Sequence, residues 1–373
     1  MNDDRPEAAM AAKNLTRREF VRGATALSLG GLAPGLGAVA ADEPTLHANG
    51  RRILQGGPKV ALQMSPEPTE ADLQFARQMG VEYVVLWTGG AKANYDYFAS
   101  RRELFEKAGL KIYGFGNSSV HCQAALVLNL PERDEKVAEY KRYLRALGKA
   151  GIPYTTYAHM ANGVWSTAPE QTRGGAKARA FDLDKAPHQT LTHGRKYTEA
   201  ELWDNYTHFI KEVAPVAEEA GVIIGIHPDD PPGVELGGIP RCIFSSFAGY
   251  QRALEIANSP NVGVCLCVGC WLEGGERMGK DVPETIRYFG ERRKLFKVHF
   301  RNVDAPLPHF VEKFPNGGYM DMYQVMKSLQ EIQFNGVVIP DHIPSMANDP
   351  RVGTAYTIGY MQALLQRAQA EGG

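Results

Sequence analysis

The sequence has almost no net charge: 41 Lys and Arg against 42 Asp and Glu leave −1 at pH 7. That balance gives no electrostatic case for nucleic acid or an anionic membrane surface as a partner. A spanning apolar run is also missing. The nearest approach, residues 23–40, holds five glycines and a proline and makes a poor transmembrane anchor. Five cysteines, at 122, 242, 265, 267 and 270, are an odd number without framework spacing, so a disulfide scaffold is not expected. No Gly-rich phosphate loop follows the first apolar run, where the chain reads Gln63-Met64-Ser65-Pro66-Glu67-Pro68. That counts against a doubly wound nucleotide-binding sheet. Solenoid repeats and low-complexity tracts are absent too.

What is present begins at the N-terminus. Thr16-Arg17-Arg18-Glu19-Phe20-Val21 precedes the Gly/Ala-rich stretch, which closes on Ala38-Val39-Ala40. Residues 1–41 therefore read as a twin-arginine signal peptide with an A-x-A cleavage site. The expectation is a mature chain starting near Ala41, handled by the twin-arginine export machinery and soluble in a bacterial periplasm.

Residues 52–373 read as one domain, long enough and apolar enough (44% hydrophobic overall) to bury a large core. Short apolar runs at 59–64, 81–87, 110–115, 152–159, 222–227, 262–267, 294–299 and 336–340 predict eight strands buried on both faces. Helical periodicity fills the gaps, as in the stripe Val137, Tyr140, Leu144 and Leu147. Thr198 with Glu201, and Asp281 with Pro283 and Glu284, mark helix starts. Gly80, Gly109, Gly151, Gly221 and Gly336 sit between a helix and the next strand, as helix-terminating glycines do. Helix-to-strand links are thus tight, whereas strand-to-helix links are long, notably 160–197, 228–245 and 301–320. This asymmetry predicts an α/β fold of the (β/α)8 TIM-barrel type, with the active site at the strand C-termini. The excursion after the fourth strand is too long for a structureless loop. It reads as a substrate-covering lid, with 178–182 forming a strand of a small hairpin.

Four metal-competent side chains end successive strands: His227, Cys267, His299 and Asp341, spaced 40, 32 and 42 residues apart. In a parallel barrel they converge at one rim, and two imidazoles, a thiolate and a carboxylate there predict a divalent-metal site. The donor set alone leaves Zn, Fe(II) and Mn(II) open. Cys265 shares a strand face with Cys267 but lies one layer deeper, so it reads as core. Further polar groups fall at strand ends: His121, Tyr157, His159, Arg301, Asn302 and His342. Arginine at 301 suits bidentate capture of a substrate carboxylate, with an ion pair to Asp229 or Asp230 as the compatible structural role.

From His121 onward the chain resembles the metal-dependent mannonate dehydratases, which are xylose-isomerase-like barrels. The resemblance is carried by Val120-His121, the tract His227-Pro228-Asp229-Asp230-Pro231-Pro232, Gly238-Ile239-Pro240-Arg241 and Leu266-Cys267-Val268-Gly269. It continues in His299-Phe300-Arg301-Asn302-Val303, Met320-Asp321-Met322-Tyr323 and Pro340-Asp341-His342. It implies a hydro-lyase of hexuronate catabolism that dehydrates D-mannonate, a small sugar acid, to 2-keto-3-deoxy-D-gluconate. The implied cofactor is Mn2+ or Fe2+ on His227, Cys267, His299 and Asp341. General acid and base roles would fall among His121, Tyr157, Asp229 and His342, with Arg301 stabilising charge. Asp230, Arg241, Asn302 and Tyr356 would contact the substrate or support those that do. The chain departs from the family pattern at Cys122 (usually Glu) and at Cys270 (commonly a small hydroxyl residue). It also carries Phe314 and Asn316-Gly317-Gly318 where His and Asp-Gly are usual. Alternatives are a sugar isomerase or epimerase on the same barrel, or an exported sugar-acid binding protein. A homo-oligomer is compatible with the sequence.

Overall fold

The computed structural model describes residues 45–46, 52–54 and 56–372. The twin-arginine segment and its cleavage site lie outside them. Eight parallel strands close into a barrel: β1 (Lys59–Met64), β2 (Tyr83–Thr88), β3 (Lys111–Asn117), β4 (Tyr154–Tyr157), β5 (Ile223–Ile226), β6 (Val262–Cys267), β7 (Leu295–Phe300) and β8 (Val337–Pro340). Each pairs with its sequence neighbours, β8 with β1 and β4 with β5 included. The principal helices are α1 (Glu70–Gln78), α2 (Tyr95–Lys107), α3 (Arg133–Lys149), α4 (Glu199–Ala220), α5 (Phe247–Ala257), α6 (Val282–Glu291), α7 (Met322–Glu331) and α8 (Pro350–Glu371). The expected (β/α)8 barrel is the observed fold.

Side-chain alternation sorts the strands into two cores. Tyr83, Val85, Tyr113, Tyr154, Ile223, Phe296, Val337 and Ile339 fill the barrel interior, with Leu54 joining them. Val84, Leu86, Tyr157, Ile224, Ile226, Val264, Leu266 and Val298 pack outward against the helices. The interior is aromatic because strand glycines leave room for the rings. A Cβ at Gly225 would lie 2.5 Å from the Tyr154 hydroxyl. The stripe Val137, Tyr140, Leu144 and Leu147 of α3 is buried as its spacing predicts.

The helix starts are built as expected. Thr198 and Glu201 form a reciprocal capping box at α4, and Asp281 and Glu284 form one at α6. Four of the five linking glycines take a positive φ, but Gly336 does not. There α7 is followed by Gln333 at φ 48°, and Gly336 serves close approach instead, since a Cβ would meet Phe296 O at 2.5 Å.

The excursion between β4 and α4 differs from expectation in its pairing. Lys177–Ala178 does pair with Glu170–Gln171 as a hairpin. Ala180–Asp182 instead crosses to His309–Lys313, which lies against Asn302–Val303. The excursion and the loop after β7 therefore share a three-stranded sheet. No helix among the described residues is long and apolar enough to cross a membrane.

Two outcomes follow. Gly225→Ala should lower unfolding stability by about 1–3 kcal/mol, because the inner layer cannot yield without displacing Tyr154; an unchanged denaturation midpoint would contradict that packing. At α4, hydrogen bonds from Arg195 and then Thr198 hold the Glu201 carboxyl at about 2, below its ordinary 4.5. A depressed carboxyl stabilises the fold above its unfolded value and loses that contribution as pH falls through the folded one. The difference in midpoint between wild type and Glu201→Gln should therefore narrow as pH drops from 4.5 towards about 2.

Candidate metal centre and active site

The period-two alternation that places Ile223 and Gly225 inside also turns His227 inward, and it acts likewise on Cys267, His299 and Asp341. His227 follows β5, Cys267 ends β6, His299 is the penultimate residue of β7, and Asp341 follows β8. Donor atoms of Cys267, His299 and Asp341 lie within 4.8 Å of one another, and the His227 and His299 rings are 5.0 Å apart. Each imidazole has one nitrogen committed and one directed at the cluster. His227 Nδ1 lies 2.7 Å from Pro228 O, which leaves Nε2 to bind. His299 Nε2 lies 3.6 Å from Cys265 Sγ, while its buried Nδ1 has no hydrogen-bond partner and sits 3.5 Å from Asp341 Oδ2. This arrangement, with the outer nitrogen held by a neighbour, is how metal-binding histidines are oriented.

Burial opposes ionisation of Cys267, but the Cys270 thiol, Arg301 and both imidazoles outweigh it and hold the Cys267 thiol well below its usual range. Burial likewise opposes ionisation of Asp341, yet His342 and His299 keep its carboxyl well down. The Arg179 and Arg301 guanidiniums face four carboxylates (Asp230, Glu273, Glu312 and Asp341) and the Cys267 thiol. Burial, followed by Asp230, pushes the Glu273 carboxyl there up to about 7.

Arg301 is buried, and both of its terminal nitrogens are taken by protein, while Nε makes no hydrogen bond. Nη1 reaches Glu273 and Glu312 at 2.6 Å each, Nη2 reaches Asp230 at 3.2 Å, and Nε lies 3.3 Å from Asp341. The compatible role, an ion pair with Asp230, is the one the side chain adopts; a free fork for a substrate carboxylate is not offered. Gly269 admits this guanidinium, since a Cβ there would stand 2.4 Å from Arg301 Nε. Arg179, from the excursion, pairs with Asp230, with Glu312 at 2.9 Å and with Glu273 at 3.3 Å.

The remaining predicted residues divide by position. His342, at φ 43°, places Nδ1 2.8 Å from Glu312 and stands partly exposed beside Asp341. A non-glycine residue in that region is held there by its surroundings. Asp341 raises the His342 imidazole to about 9 against the opposing effect of burial. His121 packs edge-on against Trp87, its Nδ1 without a partner; burial and then His227 lower it to about 3. Tyr157 is a correction. It points outward from β4 between Tyr140 and Phe209 and bonds His159 Nδ1 at 2.6 Å, because Tyr154 and Thr156 hold the inward positions. Asp229 is buried and accepts from Ser245 at 2.7 Å. Arg241 and Asn302 also serve the framework. Arg241 bonds Asp230 O, Gly163 O and Asn162, while the Asn302 amide donates to Pro315 O and Met320 O. Tyr356 lies against Phe314, with the Arg173 guanidinium 3.4 Å from its hydroxyl.

Sequence reasoning missed Arg179 and Glu273. Glu273 had a signal: it is a lone carboxylate in the apolar segment Val268–Gly274. Removing one partner of a buried ionic cluster leaves uncompensated charge, so Arg179→Met should lower unfolding stability by about 3–5 kcal/mol in denaturant titration. A loss under about 1 kcal/mol would mean the cluster behaves as a solvated surface network.

The comparisons with known proteins give the family and the fold. The D-mannonate dehydratase (UxuA) family model matches residues 70–193 and 184–371. Mannonate dehydratase of Oceanobacillus iheyensis is 31% identical over 278 residues, covering 66% of this chain and 76% of that protein. Mannonate dehydratase 2 of Halalkalibacterium halodurans is 29% identical over 265 residues, covering 64% of this chain and 75% of its own. Among solved structures, mannonate dehydratase from Streptococcus suis serotype 2 superposes with a TM-score of 0.76 at 25% identity, over 85% of this chain and 97% of that one. An L-ribulose 3-epimerase, at 13% identity and a TM-score of 0.55, shares the fold alone. The chain belongs to the D-mannonate dehydratase family and is a metal-dependent hydro-lyase of the TIM-barrel fold.

Proposed function

We propose that this enzyme dehydrates D-mannonate, or a closely related aldonate, to the 2-keto-3-deoxy acid, with Mn2+ or Fe2+ held by His227, Cys267, His299 and Asp341. The observation that carries this reading is the meeting of these four side chains at one end of the barrel, with the free nitrogen of His299 facing Asp341. When bound, the divalent cation supplies Lewis-acid stabilisation of the charge that builds as the proton α to the carboxylate leaves, a contribution of several kcal/mol.

The chain's own groups do the rest. The mouth offers two imidazoles for proton transfer, His121 with an unpartnered Nδ1 and His342 with Nε2 left over after Nδ1 engages Glu312. One takes the C2 proton and the other protonates the departing C3 hydroxyl. Arg301 holds Cys267 and Asp341 in place and adds positive charge without touching substrate directly. The sheet shared by the excursion and the loop after β7 excludes water from the mouth, with Arg173, Phe314 and Tyr356 at its edge. The exported, periplasmic location rests on the Arg17-Arg18 segment and is read by cell fractionation of a tagged chain.

Purified protein loaded with Mn2+ or Fe2+ should form a 2-keto-3-deoxy acid from at least one aldonate of a stereochemically varied panel. Formation of none, with aldose–ketose interconversion instead, would replace this reading with the isomerase. Cys267→Ala should lose the metal and the activity together. His121→Asn and His342→Asn should keep the metal while kcat falls about 10²–10⁴-fold. The variant that still exchanges the C2 proton with solvent, without releasing water, identifies the acid.

A further inference from the structure

Cys267 and Cys270 form a Cys-Val-Gly-Cys turn from β6 into the short helix Val268–Gly274. Cys267 caps that helix, its sulfur accepting the Cys270 N–H at 3.5 Å. Residues three apart on a helix share a face, so the second sulfur is carried to the same side as the first. Donor atoms of His227, Cys267 and Cys270 all lie within 4.8 Å of one another, as do those of Cys267, His299 and Asp341. Two triads thus share Cys267. Cys270 is fully buried, and Arg301 Nη2 spans both sulfurs, at 3.2 Å from Cys267 and 3.1 Å from Cys270.

Resting on the metal site proposed above, we propose that Cys270 is a second thiolate ligand of the same centre. A second sulfur moves the donor set towards metals that favour thiolate, such as Zn2+, Fe2+ and Co2+, and away from Mn2+ and Mg2+. The other contacts of Cys270 do not supply a competing site. Asp230, Cys270 and Glu273 also cluster, but both carboxylates are already paired with Arg179 and Arg301 and neither imidazole joins them. Coordination requires the thiol to release its proton, so binding by two cysteines frees more protons than binding by one.

The test uses the full-length protein and Co2+ alone as the probe. Sulfur-to-cobalt charge-transfer absorbance per bound cobalt should be about twice as strong in wild type as in Cys270→Ser. X-ray absorption at the cobalt edge of the wild-type protein, which needs no variant, should count two sulfur neighbours. Equal absorbance in wild type and Cys270→Ser, with the band lost in Cys267→Ser, would overturn the role of Cys270 alone. It would leave Cys270 as a thiol bonded to Asp230, 3.4 Å away. Absence of any sulfur band in the wild-type protein would overturn both the second thiolate and the metal site beneath it.

Discussion

The active end of this barrel depends on one buried guanidinium. Removing an arginine from water carries a penalty of several kcal/mol unless its donors are met by well-placed acceptors. Arg301 meets that condition through Nη1 and Nη2 with Glu273, Glu312 and Asp230, and its charge also faces Asp341; these carboxylates come from the loops after β5, β6, β7 and β8. Because three of these carboxylates, Asp230, Glu273 and Glu312, also hold Arg179, the excursion after β4 is tied into the arrangement. Five loops, far apart in sequence, are bound to one another through two positive charges. Cys267 and Asp341, the proposed metal ligands, both contact Arg301, so their positions are tied to this knot.

The barrel was legible in the chain because parallel strands and their helices advertise themselves locally, through short apolar runs, capping boxes and helix-terminating glycines. The convergence of His227, Cys267, His299 and Asp341 was legible for a related reason: they end four successive strands, and strand ends in a parallel barrel converge by geometry alone. Side-chain direction was less accessible where a strand end was uncertain by a residue. Tyr157 illustrates the point, since β4 is only four residues long and its parity decides whether the phenol meets the mouth or the helices. Irregular loops were the least legible part. That Ala180–Asp182 pairs with His309–Lys313 rather than closing a local hairpin depends on contacts more than a hundred residues apart. No local pattern records such a pairing.

The same division explains what varies in this chain. The four donors sit on the barrel's rigid rim, where a displaced side chain would disturb strand packing. The positions that the sequence resemblance marks as unusual lie elsewhere: Cys122 in the loop after β3, Cys270 in the turn after β6, and Phe314 and Asn316 in the loop after β7. Phe314 now supports Tyr356 and receives the Arg173 guanidinium over its ring, 4.8 Å from the centroid. The rim edge is therefore more aromatic than a histidine would leave it.

The three-stranded sheet across the mouth bears on how the molecule assembles. Its strands come from the excursion after β4 and from the loop after β7, so neither segment can complete its backbone pairing until nearly all of the barrel has been made. Arg179 cannot be buried favourably before then, because its carboxylate partners arrive on three later loops. The wall of the barrel can close strand by strand through neighbouring pairs. The mouth, by contrast, is joined through contacts between segments far apart in sequence, whose closure carries the larger entropic cost.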